Sequence, residues 1–343
     1  MFDYDTRLLK GDRNGINEAA SLLSKGELVA IPTETVYGLA ANALNPGAVR
    51  RIFEAKGRPQ DNPLIVHISD IKDLKPLVTE IPDNARMLAQ KYWPGPLTMI
   101  FHRSGLVPDE VSAGLSTVAI RMPSHPVALA IISKAGVPLA APSANRSGSP
   151  SPTTAGHVLK DMAGRIPAIV DGGESPVGVE STVLDLTGDV PRLLRPGGIT
   201  PEQIRAVTGE LVIDSAVTGR MEEGTVPHSP GMKYRHYSPK AKVILVKGSR
   251  EAFTAFVNSK KGEGVAAMCF DGEGQDLQVP FVTYGGRNDP AEQAHRVFDA
   301  LRRIDEIDAR VVYCACPEPD GIGLAVYNRL LRSAGFEVVE LDE

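Results

Sequence analysis

The sequence has few cysteines, no excess of positive charge and no apolar segment near its first residue. Its 343 residues include three cysteines, all in the last quarter, so a disulfide framework is excluded and the odd number fits a reducing compartment. The net charge of −5 argues against a protein whose main task is to coat nucleic acid. The opening residues, MFDYDTRLLKGDRNG, are polar and predict neither a signal peptide nor a membrane anchor. We therefore expect a cytoplasmic protein without membrane segments.

Short signatures of several enzyme classes are also missing. The sequence has no G-x-x-x-x-G-K-[ST] phosphate-binding loop, no H-E-x-x-H zinc motif, no paired C-x-x-C and no G-x-S-x-G nucleophile elbow. These absences argue against common hydrolases and metalloproteases. The polar residues lie instead in loops at predicted strand ends, where binding sites are usually built.

The pattern of apolar segments predicts two domains joined by a linker. Residues 1–208 combine helices with many short strands, some of which follow each other directly, and this favours a mixed α/β (α+β) sheet with flanking helices. Residues 209–241 lack a sustained period and include VPHSPGMKYRHYSPKAK, which predicts a linker. Residues 242–343 alternate strands and helices regularly, as in a small Rossmann-like parallel α/β domain. No G-x-G-x-x-G follows its first strand, so a dinucleotide role is not supported.

The segment KGRPQDNP contains the first candidates for anion binding. Lys56 ends a predicted helix, where it either takes part in chemistry or only compensates the helix dipole beside a glycine cap. Arg58 lies beyond the helix, between Gly57 and Pro59. The stiff backbone there would hold a guanidinium toward a phosphate or a carboxylate.

Two more candidates lie in predicted strands. His67 shares a face with Ile65 in LIVHI, where a satisfied core histidine is the commoner interpretation and a ligand-binding residue is the alternative. Arg121 alternates with Ala119 in VAIRM, and a buried arginine needs a partner. A structural carboxylate and a ligand carboxylate fit this requirement equally well.

Three loops add hydroxyls, amides and another cation. APSANRSGSPSP follows a buried-looking strand and could wrap closely around phosphates, although a flexible Ser/Pro turn is the alternative. VESTV contributes Ser181, and LLRPGG places Arg195 before a turn. Each loop is a weak signal alone, but together they suit a polyphosphate that is bound without a P-loop.

Taken in order, these motifs resemble a known family. PTETVYGLAANA, KGRPQDNPLIVHI, WPGPLT, AIRMPSHP, PLAAPSANRSGSPSPT, DGGESPVGVESTVLDL and LLRPGG are similar to the YrdC-like domain of threonylcarbamoyl-AMP synthases. SPGMKYRHYSP and the last domain resemble the two-domain form of that enzyme. The resemblance implies a nucleotidyltransferase that makes threonylcarbamoyl-AMP from L-threonine, bicarbonate and ATP. It serves N6-threonylcarbamoyladenosine modification at position 37 of tRNAs reading codons that begin with A.

The resemblance also implies roles for the matching residues. The catalytic cations are Lys56 and Arg58. The residues implied in ATP binding are Arg58, Asn62, Thr117, Ser143, Asn145, Ser151, Arg195, Tyr234 and His236. Those implied around threonine are Thr35, Tyr37, His67, Arg121, Ala141 and Ser181, with Arg121 pairing the threonine carboxylate.

Partners and a lid follow from the same resemblance. Mg²⁺ is expected with ATP, but it often binds mainly through phosphates and water, so no ligand residue can be named. The basic and aromatic linker residues 233–237 would close over the nucleotide as a lid, or they form a solvated tether. The product is expected to pass to a tRNA threonylcarbamoyl-transferase complex.

Two other classes compete with the synthase interpretation. One is an RNA-binding module without adenylate-forming activity, which the acidic composition and the lack of an aromatic and basic recognition motif oppose. The other is a carbamoyl-transfer maturation factor. Such proteins also carry an acylphosphatase-like domain and paired C-x-x-C zinc motifs, which this sequence lacks.

Overall fold

The computed structural model describes residues 4–220 and 237–341, which divide into two compact units. The first unit contains residues 4–147 and Ser151–Val217. The second contains Gly148–Pro150, Thr218–Arg220 and residues 237–341. The domain boundaries at 208 and 241 remain predictions.

Strands and helices are numbered here in chain order. The strands are β1 (Arg7–Lys10), β2 (Val29–Ile31), β3 (Gly38–Asn42), β4 (Ile65–His67), β5 (Leu97–His102), β6 (Thr117–Arg121), β7 (Leu139–Ala140), β8 (Ala168–Asp171), β9 (Thr182–Asp185), β10 (Arg192–Arg195), β11 (Val212–Ile213), β12 (Lys242–Lys247), β13 (Val265–Cys269), β14 (Phe281–Thr283), β15 (Val311–Ala315) and β16 (Val338–Glu340). The helices are α1 (Arg13–Ser24), α2 (Pro46–Lys56), α3 (Asp83–Tyr92), α4 (Asp109–Ser112), α5 (Pro126–Ala135), α6 (Ala155–Met162), α7 (Pro201–Thr208), α8 (Arg250–Ser259), α9 (Pro290–Ile304) and α10 (Gly323–Ser333).

A single mixed sheet organises the first unit. Within residues 4–220, eleven strands follow the order β1-β8-β2-β3-β7-β4-β6-β5-β9-β10-β11. The sheet contains parallel pairs, such as β4 with β6, and antiparallel pairs, such as β5 with β6. The mixed α/β class that the sequence predicted is therefore confirmed.

Both faces of this sheet are buried, which explains its apolar strands. In β2, Ala30 belongs to one core cluster while Val29 and Ile31 belong to another, as expected when successive side chains point to opposite faces. A third, small cluster includes Ile65, Ala119 and other residues of the central and following strands. It lies on the face that also carries the polar residues described below.

Local signals account for the ends of helix α2, which leads into the KGRPQDNP segment. The Asn45 side chain accepts a hydrogen bond from the backbone N–H of Ala48, and Pro46 occupies the first turn. Gly57 ends the helix with a φ of 63°, in the left-handed region that favours glycine. These residues fix the direction in which the chain continues toward Arg58. In α6, the Thr154 side chain caps the helix by accepting a hydrogen bond from the His157 N–H.

Some elements of the structure have no clear signal in the sequence pattern. Strand β1 is polar and largely exposed, β3 consists mostly of small residues, and α4 is only four residues long. The sequence prediction treated residues 209–241 as linker, but Val212–Ile213 pairs with β10 as a short parallel strand. Short edge pairing of this kind gives no periodic signal.

The second unit is a small parallel sheet. Within residues 237–341, five strands follow the order β14-β13-β15-β12-β16, and each pair is parallel. The small parallel α/β domain is therefore confirmed. No helix in the described parts of the chain is long and apolar enough to cross a membrane.

Candidate active site

Three polar side chains form a row on one face of the first sheet. His67, Arg121 and Thr98 occupy paired positions on the neighbouring strands β4, β6 and β5. Side chains at paired positions of adjacent strands point to the same face. All three are buried. We call this set the polar row.

Arg121, in the middle of the polar row, has a protein carboxylate as its partner. Its Nη2 lies 2.8 Å from Glu34 Oε2, its Nη1 donates to Thr35 Oγ1 at 2.8 Å, and its Nε donates to the Gly95 carbonyl at 3.2 Å. The sequence left a structural and a ligand carboxylate open as partners. In this structure Glu34 takes that place.

The PTETVYG segment brings Glu34 and Thr35 over the polar row. The hydroxyls of Thr33 and Thr35 lie 2.9 Å apart. The Tyr37 hydroxyl donates to the Gly173 carbonyl at 2.7 Å and accepts from the Gly172 N–H at 3.2 Å. Burial raises the pKa of Tyr37 to about 12, so this hydroxyl stays protonated and anchors the loop. Tyr37, expected as a pocket wall, thus uses its polar end to hold the protein together.

His67 is uncharged in its position on the polar row. Burial, reinforced by the positive charge of Arg121, lowers its pKa to about 3. Its Nδ1 lies 3.2 Å from the Ile65 carbonyl oxygen. A neutral imidazole adds hydrogen-bonding capacity to the site without adding a second positive charge beside Arg121.

The VEST segment extends the polar row at its other end. Thr98 Oγ1 lies 2.7 Å from Ser181 Oγ, and Arg195 donates to both the carbonyl and the hydroxyl of Ser181, at 3.0 and 3.1 Å. Gly197 packs directly against this backbone: a Cβ atom there would lie 2.3 Å from the Thr182 nitrogen. Any side chain at position 197 would therefore displace the segment that carries Ser181.

A second group of polar residues surrounds Lys56. Its Nζ donates to the carbonyl oxygens of Ser143 and Asn145 and lies 3.4 Å from Asn145 Oδ1. Three acceptors match the three N–H bonds of an ammonium group. Burial, followed by the charge of Arg58, lowers the pKa of Lys56 well below its usual value. Lys56 therefore shapes the loop of residues 143–145.

Close backbone approach completes the wall beside that loop. Gly38 and Ser143 form a β-bridge, and a Cβ on Gly38 would lie 3.2 Å from the Ala141 Cβ. Ser151, which is fully buried, donates to Glu180 Oε1 at 2.5 Å. Since Glu180 directly precedes Ser181, the two groups of polar residues meet at the VEST segment.

Asn62 and Thr117 lie apart from these contacts. Asn62 is fully buried, yet neither its amide nitrogen nor its amide oxygen has a hydrogen-bond partner. Such groups cost free energy and usually indicate a ligand or a change of conformation. Thr117 begins β6, four residues before Arg121, and pairs with His102. Arg58 is half-buried beside the Phe53 ring, with 5.9 Å from its guanidinium carbon to the ring centre.

Some expected residues are not described, and some important ones were not expected. Tyr234 and His236, together with the rest of 233–236, lie outside the described residues. Tyr237 is described, and its ring centre lies 5.1 Å from that of Phe298 in the second unit. The sequence prediction gave no role to Thr33, Glu34, Thr98 and Glu180. Glu34 lies between Thr33 and Thr35 in the recognised PTETVYG motif. This position was the sequence signal that could have identified Glu34 as a site residue.

The described residues contain no group of three or more His, Cys, Asp or Glu side chains that could hold a metal ion.

Comparison with known proteins assigns both units. A family model described as "Telomere recombination" matches residues 21–197, and one described as "Threonylcarbamoyl-AMP synthase, C-terminal domain" matches residues 199–335. The chain is 47% identical to threonylcarbamoyl-AMP synthase of Pyrococcus abyssi, covering 95% of this chain and 96% of that protein. It is also 47% identical to the Bacillus subtilis enzyme of that name, covering 94% of each.

A solved structure agrees with these relatives. The crystal structure of P. abyssi Sua5 complexed with L-threonine is 44% identical in sequence and matches with a TM-score of 0.91, over 98% of this chain and 100% of that one. Sequence and fold thus match along almost the whole length. The chain belongs to the threonylcarbamoyl-AMP synthase family, in its two-domain form.

Proposed function

We propose that the first unit binds L-threonine at the polar row and ATP beside the loop of residues 143–145. It links threonine to AMP through a carboxylate group that comes from bicarbonate. The observation that carries this proposal is the row of buried His67, Arg121 and Thr98 on one sheet face, roofed by the PTETVYG segment. A few convergent polar side chains set among apolar residues are typical of a ligand site. The P. abyssi relative was solved with L-threonine, which supports the choice of ligand.

The reaction makes threonylcarbamoyl-AMP, which is used in the N6-threonylcarbamoyladenosine modification of tRNA. We propose the following sequence of bonds. The threonine nitrogen bonds to the carbon of bicarbonate, and water leaves. An oxygen of the resulting N-carboxylate then bonds to the α-phosphorus of ATP, the bond between that phosphorus and the bridging oxygen breaks, and pyrophosphate departs. The nucleophile is already anionic, so this second step needs no strong side-chain base.

Fixed positive charge is the main requirement of the second step, because the N-carboxylate and the polyphosphate must meet. We assign contact with the reacting phosphate to Arg58, which is half-buried, and to Arg195, which is held by Ser181. Lys56 is a positioning residue in this proposal, since Nζ already donates to the loop that would surround the nucleotide. The loop residues Ser143 and Asn145 would then face the phosphates.

The remaining residues divide between the two ligands. Arg121 would pair with the threonine carboxylate, and His67, Thr35 and Ser181 would line the pocket. The Ala141 methyl group would leave space for the branched Cβ of threonine. One methyl group is worth about 1–3 kcal/mol of discrimination, so some use of serine is expected. Asn62, Thr117 and Ser151 are assigned to ATP.

Magnesium, the linker and the compartment are further parts of the proposal. We expect Mg²⁺ to enter as MgATP, with phosphates and water as its main ligands. The expected lid falls on residues 233–236, which lie outside the described residues, and it would protect the mixed anhydride from water. The three cysteines are free, which supports a reducing cytoplasm. The product would pass to a transferase complex that acts on tRNA.

The test is a mass-spectrometric assay with ATP, Mg²⁺, bicarbonate and L-threonine, in which each substrate is omitted in turn. We expect an adduct of threonylcarbamoyl-AMP mass and pyrophosphate only when all substrates are present. Arg58→Ala should abolish the product and leave the melting temperature unchanged. Arg86→Ala, which changes an exposed arginine of α3, is the matched control and should retain full activity. A folded, ATP-binding protein that gives no adduct would favour the RNA-binding alternative.

A further inference from the structure

Glu34 is a buried carboxylate that is paired with Arg121 by charge. Its side chain is 7% exposed, and neither of its oxygens has a hydrogen-bond partner of good geometry, although Arg121 Nη2 lies 2.8 Å away. The contact is thus a charge pair without an aligned N–H bond. A carboxylate has about four lone-pair directions to satisfy, so burial in this state is costly.

The groups around Glu34 make Arg121 its counter-ion. His67 on β4 and His125 at the beginning of α5 also face it, but burial lowers the pKa of both imidazoles, which leaves them uncharged near neutral pH. Burial tends to raise the pKa of Glu34. The charge of Arg121 and the nearby N–H groups of Arg121 and Ser124 outweigh this effect, so the pKa of Glu34 is lowered and the free protein holds a carboxylate.

Binding of threonine would change this balance. The following steps rest on the proposed function, since they take Arg121 as the partner of the threonine carboxylate. The Arg121 guanidinium has five N–H bonds, and its Nη2 lies 2.8 Å from Glu34 Oε2 without an aligned hydrogen bond. An incoming carboxylate that accepts from Nη2 would share the positive charge of Arg121 with Glu34. Glu34 would remain buried but lose part of its counter-charge, and the one cation that threonine brings is its ammonium group.

The chemistry requires that ammonium group to lose a proton. An ammonium nitrogen has no lone pair, so it cannot bond to carbon until one N–H bond breaks. We propose that Glu34 binds the ammonium group of threonine and accepts the proton that this nitrogen loses before it bonds to bicarbonate. The N–H electrons become the lone pair that forms the N–C bond. A second proton of the nitrogen leaves with the hydroxyl of bicarbonate as water.

Proton transfer to Glu34 also removes a negative charge from the site before the next step. The N-carboxylate and the polyphosphate are both anionic, and an additional carboxylate a few ångströms away would oppose their approach. Protonated Glu34 is neutral and can donate a hydrogen bond. It releases this proton to solvent when the product leaves the opened site, and the resulting carboxylate pairs with Arg121 again.

The main test compares forward and reverse turnover in Glu34→Gln. The amide resembles the protonated acid in shape and charge, but it cannot accept a proton. Forward synthesis from threonine should fall about 100-fold at neutral pH, the usual scale of a lost general base. The forward rate of this variant should then rise about tenfold for each unit of increase in pH, because a larger fraction of the threonine in solution has a deprotonated amine. The reverse reaction, ATP formation from freshly made threonylcarbamoyl-AMP and pyrophosphate, needs no amine deprotonation and should remain within a few-fold of wild type.

Two variants serve as controls. Glu34→Asp keeps the charge and should retain more forward activity than Glu34→Gln. Glu27→Gln removes a partly exposed carboxylate that pairs with Arg51 at 3.3 Å in the same unit, and both directions should be unchanged. Equal loss of forward and reverse activity in Glu34→Gln would overturn the proposal and leave Glu34 as a support for Arg121. Normal forward activity in that variant would also overturn it.

A measurement on the wild type keeps the proposal testable if Glu34→Gln fails to fold. 3-Hydroxybutyrate has the carboxylate, hydroxyl and methyl group of threonine but no ammonium group. Calorimetric titration should show that it binds at least about tenfold more weakly than threonine. Equal affinity would refute an ammonium site. If the wild type bound neither ligand and made no adduct, the proposed function itself would fail, which is a different outcome from a failure of the Glu34 assignment.

Discussion

Lowering the pH should destabilise the first unit through His67, and His67→Asn should remove that part of the effect. The imidazole is 3% exposed, and its pKa of about 3 lies well below the ordinary value of 6.5. Between these two values the unfolded chain binds a proton that the folded chain does not. Stability therefore falls as the pH drops below about 6.5, and this contribution stops growing below about pH 3.

The magnitude follows from the two pKa values. At about pH 7.5 both states are neutral at this position, so the contribution is close to zero. A pH of about 5 lies roughly 1.5 units below the pKa of the unfolded state, so proton binding stabilises the unfolded state by about 2 kcal/mol. The upper limit, reached below about pH 3, is about 5 kcal/mol. An asparagine keeps an amide donor near the Ile65 carbonyl but has no titration in this range.

Urea unfolding of both proteins at the two pH values gives the test. We expect the wild type to lose about 2 kcal/mol more than His67→Asn between pH 7.5 and pH 5. Other ionisable groups titrate in both proteins, so their contributions to the pH-dependent change in unfolding free energy cancel in the difference. NMR titration of labelled histidines provides an independent check, because the resonance missing from the variant identifies His67. Equal losses in the two proteins, or a His67 titration midpoint above about 5, would refute the reasoning.

Two further substitutions address packing and charge. Gly197→Ala should weaken threonine binding at least about tenfold and lower the melting temperature, because the new Cβ would lie 2.3 Å from the Thr182 nitrogen. Gly188→Ala, where no heavy atom lies within 4 Å, should change neither property. In the second unit, Arg287→Leu should cost about 2 kcal/mol, since it leaves the Glu273 carboxylate unpaired with only 11% of its side chain exposed.

The last prediction has its own control and limit. Arg287 is itself one-third exposed, so the cost is smaller than for a fully buried pair. Lys247→Ala breaks an exposed contact with Glu340 at 3.7 Å and should change stability by less than about 1 kcal/mol. If the two variants melted at the same temperature, the importance assigned to the buried carboxylate would be wrong.

The sequence predicted the elements whose signals are local. Helix α2 has a cap, an early proline and a terminal glycine within one continuous segment, and it ends at Lys56 as the sequence predicted. Strand β6 contains most of the apolar VAIRM run that the sequence predicted as a strand. Strand β3 consists of Gly-Leu-Ala-Ala-Asn, and small residues carry little β preference, so pairing with β2 and β7 decides its conformation.

The partners within the site could not be read from the sequence. Arg121 was predicted to need a partner, but Glu34 lies 87 positions away, and no local pattern connects them. Lys56 contacts carbonyl oxygens of residues 143 and 145, and backbone acceptors leave no trace in residue identity. Sequence motifs therefore identified which segments meet, while the contacts between individual atoms depend on the three-dimensional fold.

If the proposed function is correct, the polar row makes strand register and substrate recognition a single constraint. His67, Arg121 and Thr98 share one face of the sheet because β4, β6 and β5 are paired at those positions. Deleting one residue within β6 would turn Arg121 to the opposite face and bring an apolar neighbour into its place. A one-residue insertion at the exposed Gly105–Leu106 turn between β5 and β6 should therefore be tolerated, whereas one within either strand should not. Comparing the two insertions would test the register without altering any side chain of the polar row.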